Sequence, residues 1–132
     1  MSRKPFIYRH RIIYADTDQM GVAYHGRYFE WFEAARTEMV RDLGVAYHDV
    51  EASGYIMPVI EALCRYKKAI RYDEVIDIEV RVAELTKTRL KLAYTAKGDT
   101  DDVRAIGYTL HCFIKAGRPV RIPDFLEKIL TN

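Results

Sequence analysis

One stretch of this 132-residue chain has the period of an amphipathic helix, and no other stretch shows that period as strongly. From about Arg27 to Leu43, apolar residues recur at spacings of three and four. The apolar positions are Tyr28, Phe32, Ala35, Met39 and Leu43, and the opposite face carries Arg27, Glu30, Arg36, Thr37 and Arg41. This pattern predicts one long helix with a single buried face. Gly44 is a typical residue to end it.

The other regular segments have the composition or the alternation of strands. They cover residues 6–14, 55–70, 76–82, 90–97 and 103–115. Turns are predicted at 97–102 and 116–119, a loop at 45–54, and a short helical segment after Pro123. The four strands after the helix are predicted to pair as a meander. The fold class is therefore α+β, with one curved antiparallel sheet around the helix. Because that helix covers only one face of the sheet, the pattern favours a homo-oligomer.

Composition excludes several classes of protein. Hydrophobic residues make up 49% and charged residues 30% of the chain, which is typical of a folded protein, and the length suits one domain over residues 1–132. Lys+Arg 21 against Asp+Glu 19 gives a net charge of +2, which does not favour a nucleic-acid binder. Charged residues interrupt the N-terminal segment, so no leader and no membrane span are predicted. Cys64 and Cys112 lack metal-binding spacing and are expected to be buried free thiols in the cytoplasm.

The segment just before the helix, ADTDQMGVAYHG, is where chemistry is expected. It places Asp16, Asp18 and His25 ahead of a helix N-terminus, whose unpaired amides and dipole attract an oxyanion or a carbonyl oxygen. A carboxylate beside such a site can attack a carbonyl or deprotonate a water, which suits acyl transfer or hydrolysis. Aspartates in a turn before a helix are also common caps, so a purely structural role is the alternative at this point.

The stretch YADTDQMGVAYHGRYFEWFEAARTEMVRDLG resembles the signature of the hotdog-fold acyl-CoA thioesterases of the 4-hydroxybenzoyl-CoA thioesterase and YbgC-like family. The matching positions are Arg11, Ile12, Thr17, Asp18, Gly21, Val22, Ala23, His25 and Tyr28. The helix spacing of Glu33, Arg36 and Glu38 matches too, and later landmarks are similar at 57–59, 71–74 and 117–123. Two positions differ from the family's pattern. Ala23 replaces the usual valine, and Arg27 stands where a small or amide residue is usual.

The resemblance implies an acyl-CoA thioesterase with a single hotdog domain. Asp18 is then the essential carboxylate, as nucleophile or general base, and the backbone amide of His25 polarises the thioester carbonyl. The side chains of His25, Tyr24 and Tyr28, together with Gly21, are expected near the substrate. Family members are dimers or dimer-based tetramers with sites at the subunit interface, which implies a homotetramer or homodimer. The substrate is an acyl-CoA or an acyl-carrier protein, and no metal and no organic cofactor are implied.

Several alternatives accompany these roles. A hotdog hydratase or dehydratase would use His25 with Glu33, and a non-catalytic module would bind an acyl-CoA without turnover. Asp16 is interpreted as a turn residue, and the two tyrosines as possible core residues. Glu33 and Arg36 are expected to pair on the surface at three-residue spacing. His10, His48 and His111 belong to no motif and are expected to be structural or solvent-facing.

Overall fold

A computed structural model of the protein describes residues 4–45 and 47–131, except for the side chains of residues 47 and 48. The helices are α1 (Arg27–Asp42), α2 (Tyr47–Ala52) and α3 (Asp124–Thr131), and a 3-10 turn covers Tyr14–Asp16. The strands are β1 (Phe6–Arg11), β2 (Tyr55–Ile56), β3 (Val59–Tyr66), β4 (Val75–Leu85), β5 (Arg89–Lys97), β6 (Val103–Cys112), β7 (Ile114–Lys115) and β8 (Arg118–Pro119). Two subjects of the sequence predictions lie outside the described residues: the start of the charged N-terminal segment and the side chain of His48.

Five strands form one antiparallel sheet in the order β1-β4-β5-β6-β3, and helix α1 packs on one face of it. The short strands β2, β7 and β8 form a second antiparallel sheet. The predicted α+β class is therefore confirmed. The predicted long helix agrees with α1 to within one residue at its C-terminal end.

Three predicted details of the segments that follow α1 are wrong. The strands after α1 do not form a simple meander, because β3 pairs with β6 while β4 pairs with β1. The segment 45–54 contains helix α2 instead of only a loop. The segments 55–70 and 103–115 are each divided into two strands. Alternation in a sequence specifies the face of a strand and not its neighbour, and Pro58, which has no N–H for a ladder, lies in the first of the two breaks.

The contact between α1 and the sheet is centred on Phe32. Its ring stacks on that of Tyr94 of β5, with the ring centroids 4.4 Å apart and the planes 7° apart. Gly107 of β6 makes room for this contact, since a Cβ atom at that position would come within 2.9 Å of the Phe32 ring. The rest of the buried helix face consists of Tyr28, Trp31, Ala35, Met39 and Val40. Burial of each large apolar side chain contributes roughly 1.5–3 kcal/mol, so this face fixes where the helix lies.

A directed chain of hydrogen bonds crosses the core beneath α1. Burial lowers the pKa of His111 to about 4, so the ring is neutral. Its Nδ1 lies 3.2 Å from the carbonyl of Met57, so Nδ1 carries the hydrogen and Nε2 is an acceptor. The Thr109 hydroxyl donates to that Nε2 at 2.8 Å and accepts from the Tyr94 hydroxyl at 2.7 Å. Tyr94 in turn accepts from Arg36 Nη1 at 3.2 Å. The donors therefore all point from α1 toward the segment that precedes β3.

Arg36 does not form the surface pair with Glu33 that the spacing predicts. Its side chain points into the core and the residue is only 7% exposed, whereas Glu33 is exposed. The Nε atom of Arg36 has no hydrogen-bond partner within the described residues. A buried cation that lacks a counter-charge destabilises a protein unless something else pairs with it. Within the described residues, Arg36 is therefore a buried cation that is only partly hydrogen-bonded, through Nη1 to Tyr94.

The loop between β3 and β4 is tied to β6 by Arg104. Its two terminal nitrogens bind the two carboxylate oxygens of Glu74, each at 2.9 Å, and its Nε binds Asp102 at 2.7 Å. Glu74 also accepts the amide hydrogen of Arg71 at 2.7 Å. The Arg104 guanidinium holds the pKa of Glu74 and that of Asp102 below their usual ranges. These contacts hold the loop between β3 and β4 in place.

Within the described residues, no helix is long and apolar enough to cross a membrane. Cys64 and Cys112 both carry free thiols, as predicted, and both are half-buried where full burial was expected.

We expect Glu74→Gln to lower the free energy of unfolding at pH 7 by about 2 kcal/mol. Glutamine offers the buried Arg104 one acceptor oxygen in place of two and carries no negative charge. The pKa of Glu74 is lower in the folded state than in the unfolded state. Its contribution is therefore complete above the unfolded value, about 4.3, and is lost as pH falls through the folded value. Chemical denaturation at pH 7, 5 and 3 measures this difference, which should shrink with acid.

Asp77→Asn is the matched control, because Asp77 pairs at 2.9 Å with an Arg9 side chain that is 72% exposed. An exposed pair of this kind should change the unfolding free energy by less than about 1 kcal/mol. A Glu74→Gln difference that stays constant or increases below pH 4 would contradict the account of the Arg104 contacts.

Candidate functional site

A closed turn at the surface carries the first candidate residue, Asp18. Thr17 and Ala23 form an antiparallel bridge, and within the turn the Asp18 amide donates to the Val22 carbonyl at 2.9 Å. The Gly21 amide donates to the Asp18 carbonyl at 3.0 Å. Gly21 has a φ of 79°, a left-handed conformation that glycine adopts without strain. The sequence pattern from Asp18 to Gly21 therefore has a local structural cause as well as a candidate chemical one.

The Asp18 carboxylate is exposed and held in place by one hydrogen bond. The Met20 amide donates to its Oδ1 at 2.8 Å, which is the geometry of an Asx turn. Its Oδ2 has no hydrogen-bond partner in residues 4–45 and 47–131. One oxygen thus orients the group, and the other is available to a substrate or a water molecule.

The turn leads directly into the N-terminus of α1, which begins at Arg27 after Gly26. The amide of Tyr24 donates to the Asp16 carbonyl at 2.8 Å, and the amide of Arg27 donates to the Tyr24 carbonyl at 3.0 Å. The amide of His25 meets no acceptor in the part of the chain that the structure describes. A free amide at the positive end of a helix dipole is suited to bind a carbonyl oxygen as negative charge develops on it.

Aromatic side chains surround His25. The Tyr66 hydroxyl, from β3, donates to the His25 carbonyl at 2.9 Å, and the Tyr24 ring lies 4.4 Å from the imidazole. Tyr28 is buried and packs edge-on against Tyr66 at 4.8 Å. Burial raises the pKa values of Tyr28 and Tyr66 to about 12, so neither hydroxyl is a base near neutral pH. Sequence reasoning did not find Tyr66, because it lies 41 residues from His25 and outside every recognised motif.

Asp16 is more than the turn residue that the sequence predicts. It is only 5% exposed, and its Oδ2 accepts hydrogen bonds from His10 at 2.9 Å and from the Ile13 amide at 3.0 Å. Because Asp16 is buried and Asp18 is exposed, only Asp18 presents a carboxylate to a substrate. His10 was expected to be structural or solvent-facing, and its bond to Asp16 gives it a structural role.

The loop between β3 and β4 supports the turn from the other side. Val22 forms a β-bridge with Arg71, and the Ala23 amide donates to the Ile70 carbonyl at 2.7 Å. These backbone contacts thus hold the turn that carries Asp18 against the loop that follows Tyr66 and β3. Within the described residues, no group of three or more His, Cys, Asp or Glu side chains could hold a metal ion.

A comparison with protein families tests the family membership that the motif predicts. The family model described as the thioesterase-like superfamily matches residues 14–130. The chain belongs to this superfamily. The matched range covers the turn, α1, the five-stranded sheet from β3 onward and nearly all of α3.

Relatives of this thioesterase-like protein carry names that agree with the family. A putative esterase from Aquifex aeolicus is 34% identical over 128 residues, which are 97% of this chain and 99% of that protein. A putative acyl-CoA thioesterase, YneP, from Bacillus subtilis is 46% identical over 61 residues, which are 46% of this chain and 44% of that protein. Among solved structures, a DHNA-CoA thioesterase from Staphylococcus aureus has a TM-score of 0.88 and 34% identity, and covers 93% of this chain and 87% of that one.

The comparisons confirm that this thioesterase-like protein has the hotdog fold and is an enzyme. They do not address the roles of Asp18, Gly21, Tyr24, His25 and Tyr28. Those roles stay predictions, although the structure places Asp18 and His25 in the turn and at the helix N-terminus that the motif implies.

Proposed function

We propose that this protein hydrolyses acyl-CoA thioesters to a carboxylic acid and free coenzyme A. The observation that carries the proposal is that two groups close in the chain both lack a hydrogen-bond partner within the described residues. They are one oxygen of the Asp18 carboxylate, whose other oxygen orients it, and the His25 amide at the N-terminus of α1. Hydrolysis of a thioester needs both parts: a group that attacks or activates water, and a donor for the carbonyl oxygen. The names of the relatives supply the substrate class.

The reaction begins when the thioester carbonyl oxygen accepts a hydrogen bond from the His25 amide. The Asp18 carboxylate then either attacks the carbonyl carbon itself or takes a proton from a water molecule that does so. In both cases negative charge grows on the oxygen beside the helix N-terminus, where the dipole stabilises it. The C–S bond breaks and the coenzyme A thiolate leaves and is protonated. In the nucleophilic route the acyl group is then an anhydride with Asp18, and water cleaves that bond to release the free acid and the carboxylate. In the general-base route the attacking water supplies the acid oxygen, and Asp18 passes the proton it took to the thiolate.

The residues around this pair suit the binding of the acyl group. Tyr24 and the His25 ring form an exposed aromatic wall, and Gly21 leaves the turn without a side chain beside Asp18. Tyr28 lies beneath, where it packs against Tyr66. We propose that Gly21, Tyr24 and Tyr28 contact the substrate, and that the enzyme acts in the cytoplasm as the sequence predicts. An acyl-carrier protein is the other carrier for the same thioester.

We also propose that two copies of the chain associate through β3. This strand is one of the two edges of the five-stranded sheet, and most of its residues are exposed. Val59, Ile60 and Tyr66 present large apolar surfaces there, which a monomer would leave in water. A pair of such dimers would give the homotetramer that the resemblance implies.

We expect Asp18→Asn to lower kcat for thioester hydrolysis at least about a hundredfold, because the amide is neither a nucleophile nor a base. Thiol release is measured from short, medium and long aliphatic acyl-CoAs, from benzoyl-CoA and hydroxybenzoyl-CoA, and from an acyl-carrier protein. Asp124→Asn, an exposed aspartate at the start of α3, is the matched control and should retain wild-type activity.

Turnover by Asp18→Asn at the wild-type rate would exclude the proposed mechanism. Silence of the wild type on every thioester, with retained binding of coenzyme A, would identify a binding module. Loss of ultraviolet absorbance from an enoyl-CoA without thiol release would indicate a hydratase.

We expect Ile60→Lys, on β3, to separate the two copies that pair through this strand and to lower thiol release, since a charge at that edge disfavours strand pairing. Sedimentation velocity measures the assembly, and circular dichroism verifies that the variant is folded. Ile7→Lys on β1, at the opposite edge, is the matched control, because Ile7 is 53% exposed and Ile60 is 45% exposed. An Ile60→Lys protein that keeps the oligomeric state of the wild type, or an Ile7→Lys protein that dissociates, would contradict the assignment of β3.

A further inference from the structure

A buried carboxylate lies two residues before Asp18 in the chain, on Asp16. Its Oδ2 accepts from His10 Nε2 at 2.9 Å and from the Ile13 amide at 3.0 Å. A carboxylate only accepts, so His10 Nε2 carries a hydrogen. The His10 ring is itself held in place, since it lies 5.4 Å from the ring of Trp31 on the buried face of α1. Asp16 is thereby connected to strand β1 and, through His10, to the helix.

Arg27 completes the surroundings of Asp16. Its Nε lies 4.0 Å from Asp16 Oδ1, its Nη2 donates to the Ala15 carbonyl at 3.2 Å, and its Nη1 binds Glu30 at 3.0 Å. Ala15 and Asp16 lie in the 3-10 turn, and Glu30 lies in the first turn of α1. The guanidinium is therefore directed back onto the protein. This explains how an arginine is accommodated where the family tends to have a small or amide residue.

The main chain of Asp16 connects these contacts to the reacting groups. Its carbonyl accepts the amide hydrogen of Tyr24 at 2.8 Å. That bond joins Asp16, two residues before Asp18, to Tyr24, the residue just before His25. It therefore links the two positions that carry the carboxylate and the free amide. A shift of Asp16 would therefore move the carboxylate and the amide relative to each other. Displacements of about 1 Å at reacting groups can cost about a hundredfold in rate.

We propose that Asp16 is the positioning residue of this site, and that His10 and Arg27 clamp it so that the Asp18 carboxylate and the His25 amide keep their relative geometry. The inference rests on the proposed function, because it concerns the rate of the reaction assigned to those two groups. It also assigns Arg27 to the clamp, so this residue does not select the acyl group.

The test compares Asp16→Asn, His10→Phe and His10→Gln. Asparagine keeps the size of Asp16 and loses its charge, phenylalanine keeps the contact with Trp31 and loses the donor, and glutamine restores a donor. We expect Asp16→Asn and His10→Phe to lower kcat about tenfold with KM changed less than about threefold. His10→Gln should recover most of the loss caused by phenylalanine. The double variant Asp16→Asn/His10→Phe should lose little more than either single variant, since both remove one interaction.

Two further variants complete the experiment. Arg9→Gln removes an ion pair of the same 2.9 Å length from the same strand, but an exposed one outside the turn, and should leave kcat unchanged. Arg27→Ala should lower kcat for every acyl-CoA by a similar factor and leave the order of substrate preference unchanged. Thermal unfolding of each variant is measured in parallel, because a merely structural role would lower the melting temperature and leave kcat of the folded protein unchanged.

The outcomes separate this inference from the proposed function. An active wild type, an inactive Asp18→Asn and an Asp16→Asn with full kcat would overturn the clamp alone. Equal losses in His10→Phe and His10→Gln would also overturn it, as would a change in acyl preference on Arg27→Ala. A wild type without any thiol release would overturn the proposed function and, with it, the clamp.

Discussion

The packing of α1 on the sheet is the constraint on which the rest of the structure depends. The stacked rings of Phe32 and Tyr94 set the distance between the helix and β5, and the missing side chain at Gly107 permits that distance. Because the helix is held by its whole buried face, its N-terminus is fixed relative to β3, from which Tyr66 reaches the His25 carbonyl. The position of the His25 amide therefore depends on how the core packs.

The turn that carries Asp18 has little buried apolar surface of its own, so polar contacts hold it. On one side Asp16 connects it to β1 and to α1, and on the other Val22 and Ala23 pair with the loop that Arg104 secures. These hydrogen bonds are 2.7–2.9 Å long and connect the turn to neighbouring elements, which is suitable for a segment that must be rigid and yet exposed to substrate. The same arrangement leaves β3 at one of the two edges of the sheet, where a second subunit is proposed.

Sequence periodicity predicted the elements well, since a buried face repeats along one segment. It predicted α1 almost to the residue and the strands β4 and β5, and composition indicated the segments that contain β1, β3 and β6. It did not predict that β3 pairs with β6, because alternation carries no information about partners. The motif indicated Asp18 and His25, which are close in the chain. It could not indicate Tyr66 or the bond between His10 and Asp16, because those contacts join segments that only the folded sheet brings together. The same limit explains Arg36, whose spacing from Glu33 predicted a surface pair although the residue points into the core.

A crystal structure of the protein with a non-hydrolysable acyl-CoA analogue, in which a ketone replaces the thioester, tests the central claim most directly. The account predicts that the ketone oxygen lies about 2.7–3.1 Å from the His25 amide nitrogen, and that the free oxygen of Asp18 faces the carbonyl carbon directly or through one water molecule. A bound analogue whose carbonyl contacts neither group, or one that reaches Glu33 with Asp18 left in solvent, would contradict it.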